Sequence, residues 1–374
     1  WKKLRHKILK SSYINRDQSY EAIRGMLLTL DDPYTRFLDP KEFKEMRIDT
    51  SGSLSGVGIQ LSLDKRSNKL IVVSPIEGTP ADRAGVESND VIISIDGIPT
   101  KGMSIENAVK LIRGKKGTVV DLGLLRDNKL INISLTRTRI EINAVNSKVK
   151  ISDYGINIGY IRLKQFNANS AKEMSDSIKD MESKNVEGYI MDLRGNPGGL
   201  LESSIEIARQ WIDQGIIVST QTRDGIKDVR RANGKAITSR PLVILVNEGS
   251  ASASEILSGA IKDNNRGILV GKKTFGKGLV QSVRALSDGS GLTVTIAKYL
   301  TPKGRDINKY GIKPDIRAEM LFNNRQRFEI EDLATKKDSQ YIIAETALFK
   351  QISKQGIESS YRINNANLKY ALKN

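Results

Sequence analysis

Cysteine is absent from this 374-residue chain, and histidine occurs once, at His6. No disulfide can form, and no thiolate can serve as nucleophile or metal ligand. One histidine cannot build a His-rich metal site, and the carboxylates follow no calcium- or magnesium-loop pattern. A Ser-His-Asp triad would have to recruit His6 itself, far in sequence from any candidate serine. A hydrolytic serine in this chain must therefore find another base. No apolar run approaches the roughly 20 residues of a membrane-spanning helix. Aromatic residues make up only 5% of the chain and form no stripe with the basic ones, which argues against a nucleic-acid surface.

Positive charge is what the chain has in excess, with 60 Lys and Arg against 43 Asp and Glu, a net +17. The basic residues are spread evenly, as general basicity or an acidic partner would require; contact with anionic membrane surfaces stays open. At 39% hydrophobic and 28% charged residues the composition is that of an ordinary soluble protein. The length allows about two or three domains. The chain starts at Trp1 without Met and shows no signal peptide, so a mature or trimmed product is expected.

Taken in order, the first 50 residues read as a helical segment. Tyr20, Ile23, Met26, Leu27 and Leu30 make one apolar face, and Asp31-Asp32-Pro33 stops it. A packing or capping role is the plain reading. Thr50 to Gly56 is Ser/Gly-rich and reads as a loop. Residues 51–139 read as a small β-rich unit. A glycine turn, Gly56-Val57-Gly58-Ile59, leads into a strand, and Leu70–Val73 and Val91–Ile95 are β-branched runs. Ser104 caps a helix bearing Ile105, Ala108, Val109 and Ile112; Asp127-Asn128 turns a hairpin into the alternating run Ile131, Ile133, Leu135. Strand and helix patterns then alternate: GYIRL from Gly159, a helix through Met174 and Ile178, GYIMDL from Gly188, and a helix through Ile205 and Ala208. The buried-type strand Leu242–Val246 follows, then a helix face of Ala253, Ile256, Leu257, Ala260 and Ile261. This alternation predicts an α/β core over residues 140–320. Residues 321–374 read as a C-terminal helical segment, with apolar residues such as Ile342, Ala347 and Leu348 from Arg325 on and a fraying end from about Ser353.

The chemistry concentrates between Asn247 and Gln281. Ser252 lies in a run of small residues that opens the helix, where unpaired N–H groups favour developing negative charge. By itself, Ser250, Ser252 or Ser254 reads equally as a helix cap. Lys277 lies between Gly276 and Gly278. A lysine can replace histidine as the base if burial or neighbouring cations bring its pKa from about 10.4 toward about 7–8. Lys272 and Lys273 are candidates for that influence. Gly271 to Lys277 also matches a phosphate loop, but Gly278 stands where that motif needs a hydroxyl, and the next segment reads as strand. No G-x-S-x-G surrounds Ser252, which removes the usual nucleophile elbow. Gly198-Gly199, between strand and helix, is a second place where bare amides can face an oxyanion.

The pieces DDPYTRFLDPKEF, DLRGNPGG, VNEGSASASEI, GKKTFGKGLVQ and YLTPKGRDI…GIKPD occur in that order. With GVGI and GTPADRAGVESNDVIISIDG, which resemble a PDZ domain, they make the chain similar to the carboxyl-terminal processing (tail-specific) proteases, and most similar to their cyanobacterial and plastid branch. The resemblance implies an α+β and α/β multidomain fold: a helical N-terminal segment, a PDZ domain and a crotonase/Clp-protease-like core. It implies Ser252 as nucleophile, Lys277 as general base and Gln281 as the residue orienting the lysine. It implies an oxyanion hole from the Gly198 and Ala253 amides, and supporting roles for Glu255 and Asp263. The PDZ loop Gly56-Val57-Gly58-Ile59 would hold a substrate's free C-terminal carboxylate. No cofactor or metal is implied. The branch matures the photosystem II reaction-centre protein precursor, so the expected place is extracytoplasmic, in a thylakoid lumen or periplasm. The alternative is a PDZ-based scaffold with an inactive protease core.

Overall fold

The structure is a computed structural model that describes Tyr13 and residues 15–64, 67–320 and 330–354. His6, the start of the expected C-terminal segment at 321–329 and the expected fraying end beyond Lys354 lie outside the described residues. The chain divides into two compact units: Ser51–Ile142, and the described residues before and after it. The described parts of the expected N- and C-terminal helical segments thus belong to the same unit as the core.

The core of the larger unit is a six-stranded sheet in the order Val145–Ile151, Asn157–Leu163, Gly188–Asp192, Leu242–Val246, Ile268–Gly271, Ile316–Arg317. Its first pair is antiparallel and the rest run parallel. Residues alternate between two buried faces. Ile161, Leu163, Tyr189, Met191, Ile244 and Leu269 pack with the helices Ser170–Ser183, Leu201–Trp211 and Ala253–Asp263. Ile158, Tyr160, Ile190, Val243, Leu245 and Val270 pack with residues of the helix at 339–354. Burial on both faces explains why these strands read as continuous apolar runs. Helix Ala253–Asp263 is buried nearly all round, not only along the expected apolar face; Ser254, Glu255 and Ser258 are as buried as Leu257.

A second sheet runs Arg36–Leu38, Gly291–Leu300, Ile216–Thr222, Gly225–Arg231, with Leu279–Ala285 also paired to Gly291–Leu300. The N-terminal helix Arg16–Leu28 ends before Leu30, which is exposed, and Leu27 is its buried contact. The arm after it supplies Arg36–Leu38 to this sheet, in register with Thr293 to Gly291.

The smaller unit carries a sheet in the order Ile59–Asp64, Lys69–Pro75, Val91–Ile95, Val119–Arg126, Lys129–Thr136, around a core of its own. Helix Ile105–Ile112 is capped by Ser104, whose side chain accepts the Asn107 N–H at 3.3 Å. Asp127 and Asn128 both take positive φ, the left-handed pair a tight hairpin requires. The stretch expected as a loop at Thr50–Gly56 is instead a helix end and a strand, Ser53–Gly56, paired with Thr138–Glu141. Tertiary pairing overrides the weak local propensity of Ser and Gly there.

Candidate active site

Three loops leave the carboxyl ends of adjacent parallel strands, where ligands bind in open α/β sheets. DLRGNPGG follows Gly188–Asp192, the serine run follows Leu242–Val246, and the lysine loop follows Ile268–Gly271.

The three serines of the run separate cleanly. Ser250 is buried; its Oγ donates to the Leu193 carbonyl at 2.7 Å and accepts the Asn247 N–H at 3.0 Å. Ser254 is buried, and its Oγ donates to the Asn196 carbonyl at 3.0 Å. Ser252 alone of the three is partly open to solvent. Its backbone, at φ 54° and ψ −113°, lies outside the regions that ordinary residues populate. Such a conformation costs about 1–3 kcal/mol and is found at active sites and ligand clamps. The sharp strand–turn–helix geometry is thus present although the G-x-S-x-G signature is not.

Glu255 organises the site. It is fully buried. The backbone N–H groups of Ser252 and Lys277 both donate to its Oε2, at 2.9 and 2.8 Å. Its Oε1 accepts the Thr274 hydroxyl at 2.6 Å and the Gly276 N–H at 2.7 Å. The backbone nitrogens of Ser252 and Lys277, 25 positions apart in sequence, are therefore no further apart than those two bonds end to end. Phe275 N–H donates to the Ser250 carbonyl at 3.0 Å, a second tie between the loops. The glycines beside Lys277 allow close approach: a Cβ on Gly278 would lie 2.3 Å from the Asn308 nitrogen, and Gly276 takes φ +94° against Lys309 and Gly311.

The Lys277 amine is half-buried, 4.9 Å from the centre of the Tyr34 ring. Burial pushes its pKa below the ordinary lysine value, and the charge of Arg36 pushes the same way. Lys272 and Lys273 are not the cause. Lys272 is paired with Glu248 at 2.8 Å and Glu319 at 3.1 Å, and Lys273 is exposed. Sequence reasoning missed Tyr34, Arg36 and Thr274. The motif DDPYTRFLDPKEF marked the arm, but nothing local tied it to a lysine more than two hundred positions away.

Gln281 makes no hydrogen bond to the lysine among the described residues; its side-chain amide donates to the Tyr34 carbonyl. Asp263 ends the helix that Ser252 opens, about 15 Å along it. There it accepts the Lys303 N–H at 3.1 Å and pairs with Arg305, so it holds a turn rather than the site. The Ala253 N–H has no acceptor among the described residues, as expected of a first helical turn. The Gly198 N–H is engaged, donating to Asn196 Oδ1 at 2.9 Å. Gly198 itself packs against the Ser252 turn, since a Cβ there would lie 2.8 Å from Ser252 Cβ. Asn196 links three elements: its Nδ2 donates to the Leu163 carbonyl at 2.8 Å, and its own carbonyl takes the Ala251 N–H at 3.0 Å and the Ser254 hydroxyl. Upstream, buried Arg194 spans Asp192 at 2.6 Å and Asp338 at 2.7 Å, fastening the C-terminal helical segment to this loop.

In the smaller unit, Gly58 has φ +82° and would drive a Cβ within 2.2 Å of Thr79 Oγ1, so only glycine fits. The carbonyls of Val57 and Gly58 take the N–H groups of Ala81 at 2.9 Å and Ile76 at 2.8 Å. The N–H groups of Val57 and Gly58 have no acceptor among the described residues. The strand that follows, Ile59–Asp64, has Lys69–Pro75 as its one sheet partner among the described residues and leaves the other edge open.

The mostly parallel α/β sheet gathers its site loops at one end, in a chain that also carries a separate PDZ-like unit. Residues 157–318 match peptidase family S41, and residues 71–126 match the PDZ domain. The carboxyl-terminal-processing protease of Synechocystis sp. is 47% identical over 317 residues, 84% of this chain and 74% of that protein. The carboxy-terminal processing protease CtpA of Bacillus subtilis is 40% identical over 318 residues, 83% and 67% respectively. The solved photosystem II D1 C-terminal processing protease is 40% identical, with TM-score 0.53 over 85% of this chain and 86% of that one. The chain belongs to the carboxyl-terminal processing proteases of peptidase family S41, serine peptidases that act on protein substrates.

Proposed function

We propose that Ser252 is the nucleophile and Lys277 its general base, and that the substrate is a protein tail held by its free C-terminal carboxylate. The observation that carries the dyad is the single Glu255 oxygen that binds the backbone of both residues. The strained Ser252 backbone and the desolvated Lys277 amine support it. Neutral Lys277 takes the hydroxyl proton of Ser252 as Oγ attacks the peptide carbonyl. The Ala253 N–H and the Gly198 N–H, once released from Asn196, hold the oxyanion. Protonated Lys277 gives the hydroxyl proton to the leaving amine as the peptide C–N bond breaks. Neutral again, it takes a proton from the water that attacks the acyl-enzyme ester and returns it to Ser252 Oγ as that ester breaks. The chemistry needs no cofactor. The unpaired amides of Val57 and Gly58 and the strand edge of Ile59–Asp64 that has no sheet partner among the described residues suit a carboxylate and an added peptide strand.

The solved relative acts on photosystem II D1 by name. The corresponding substrate here is the precursor of that reaction-centre protein, and the place of action is extracytoplasmic, in a thylakoid lumen or periplasm. A net charge of +17 favours approach to anionic membrane surfaces, from which such a tail emerges. The test is cleavage of a peptide carrying the precursor's tail, with its C-terminus free or amidated. Cleavage should require the free carboxylate. Ser252→Ala and Lys277→Ala should each lower kcat/KM by on the order of 10⁴-fold or more while leaving tail binding intact. Full activity in either variant rejects the dyad; binding without cleavage by the unaltered chain favours a scaffold.

A further inference from the structure

The arm between the helices Arg16–Leu28 and Pro40–Ser51 is held with more care than a packing segment needs. Asp32 turns it, accepting the Tyr34 N–H at 3.0 Å and the Thr35 hydroxyl at 2.6 Å. The Tyr34 carbonyl takes two side-chain donors, Gln281 Nε2 and the Thr293 hydroxyl, the latter at 2.9 Å. Thr35 Oγ1 accepts the Thr295 N–H at 3.1 Å. Phe37 and Leu38 are buried and plug the arm into the sheet. The donors come from the paired strands Leu279–Ala285 and Gly291–Leu300, and the first of these begins two residues after Lys277. The same strands therefore position both the lysine and the ring that lies over its amine at 4.9 Å.

We propose that this arm is part of the active-site apparatus, with Tyr34 as a positioning residue whose ring seats the Lys277 amine and Arg36 as the cation set against it. The proposal rests on the reading of Lys277 as the general base. A ring face attracts an ammonium by about 0.5–2 kcal/mol and so confines a long, flexible side chain to one place. Left alone, that attraction would favour the charged, inactive form. Burial opposes it, and the Arg36 charge adds to that. Few other charges are placed to interfere. Glu255 spends its carboxylate on backbone N–H groups and Thr274, Lys272 is paired with Glu248 and Glu319, and Lys298 is paired with Asp306. Lys273 points to solvent.

The sign follows directly. Neutral Lys277 is the active form, so kcat/KM rises with pH through its pKa. Replacing exposed Arg36 by glutamine removes a like charge, raises that pKa and moves the curve to higher pH. The expected shift is on the order of half a pH unit, roughly a threefold loss on the rising limb that is recovered at high pH. Added salt should move the unaltered enzyme toward the Arg36→Gln curve and leave the variant where it is. Tyr34→Leu should lower kcat by about 10-fold or more with little change in KM, because the amine is no longer held. Tyr34→Phe should restore most of that loss. All are measured on the full chain with the tail peptide, beside thermal unfolding. Wild-type kcat and pH profile in Tyr34→Leu overturn the proposal. If Tyr34→Leu does not fold, Arg36→Gln decides: an unmoved, salt-insensitive profile overturns it. Retained activity in Lys277→Ala is a separate result and refutes the dyad reading underneath.

Discussion

Glu255 shows how much one side chain can settle. Its two oxygens accept hydrogen bonds from Ser252, Lys277, Gly276 and Thr274, so the Ser252 turn and the Lys277 loop share one anchor. Glu255→Gln keeps the shape but turns one oxygen into a donor facing N–H groups. An unsatisfied buried amide costs about 1–3 kcal/mol, so the variant should melt several degrees lower. It should also lose kcat by about 10²-fold or more while KM changes little, because the two reacting groups lose register and the PDZ loop does not. A kcat within twofold of the unaltered enzyme would show that the dyad does not depend on this anchor. The single histidine, His6, pointed away from a histidine base, and the family resemblance singled out Ser252, which the serine run alone could not do among Ser250, Ser252 and Ser254. What separates the three is tertiary: the outer two hydroxyls are bound to the Leu193 and Asn196 carbonyls. The same holds for Gly198, whose amide is legible as a candidate while its engagement by Asn196 is not.

At the scale of elements, strands with unbroken apolar or β-branched runs were legible; Leu242–Val246, buried along its whole length, and Val91–Ile95, only partly buried, begin and end where the sequence says. Strands with interrupted, polar runs were not. Ile216–Thr222 and Gly225–Arg231 carry Ser, Thr, Gln and Arg and owe their pairing to Gly291–Leu300 and to each other. The lysine loop is likewise shaped by packing. Gly278 lies against the backbone of Ile307 and Asn308 with no room for a methyl group. Gly278→Ala must push Lys277 away from its seat and should cost about 1–3 kcal/mol and most of kcat. Gly25→Ala is the control: it is helical, with nothing within 4 Å of the added carbon, and should stabilise by up to about 1 kcal/mol without touching kcat. Equal losses in both variants would mean that the effect at Gly278 is general, not local.

At the scale of the whole molecule, the chain keeps its chemistry and its expected tail recognition in separate units, each with its own core. The smaller unit buries Leu70, Val72, Ile92, Ile95, Leu122 and Leu124 among themselves, and Arg126 closes it by pairing with buried Asp90 at 2.7 Å. Arg137 adds a further tie, donating to the Leu111 and Ile112 carbonyls at 2.8 Å and so capping the end of helix Ile105–Ile112. A unit with a closed core and capped helix should fold alone. Residues 51–142 expressed by themselves should therefore unfold in one cooperative urea transition. They should bind the tail peptide with its carboxylate free and lose about 10-fold or more of that affinity when it is amidated, because the Val57 and Gly58 amides then face no charge. Cleavage stays with the full chain. Equal affinity for the two peptides would move carboxylate recognition out of this unit. A broad, non-cooperative transition would mean instead that the smaller core depends on the larger one.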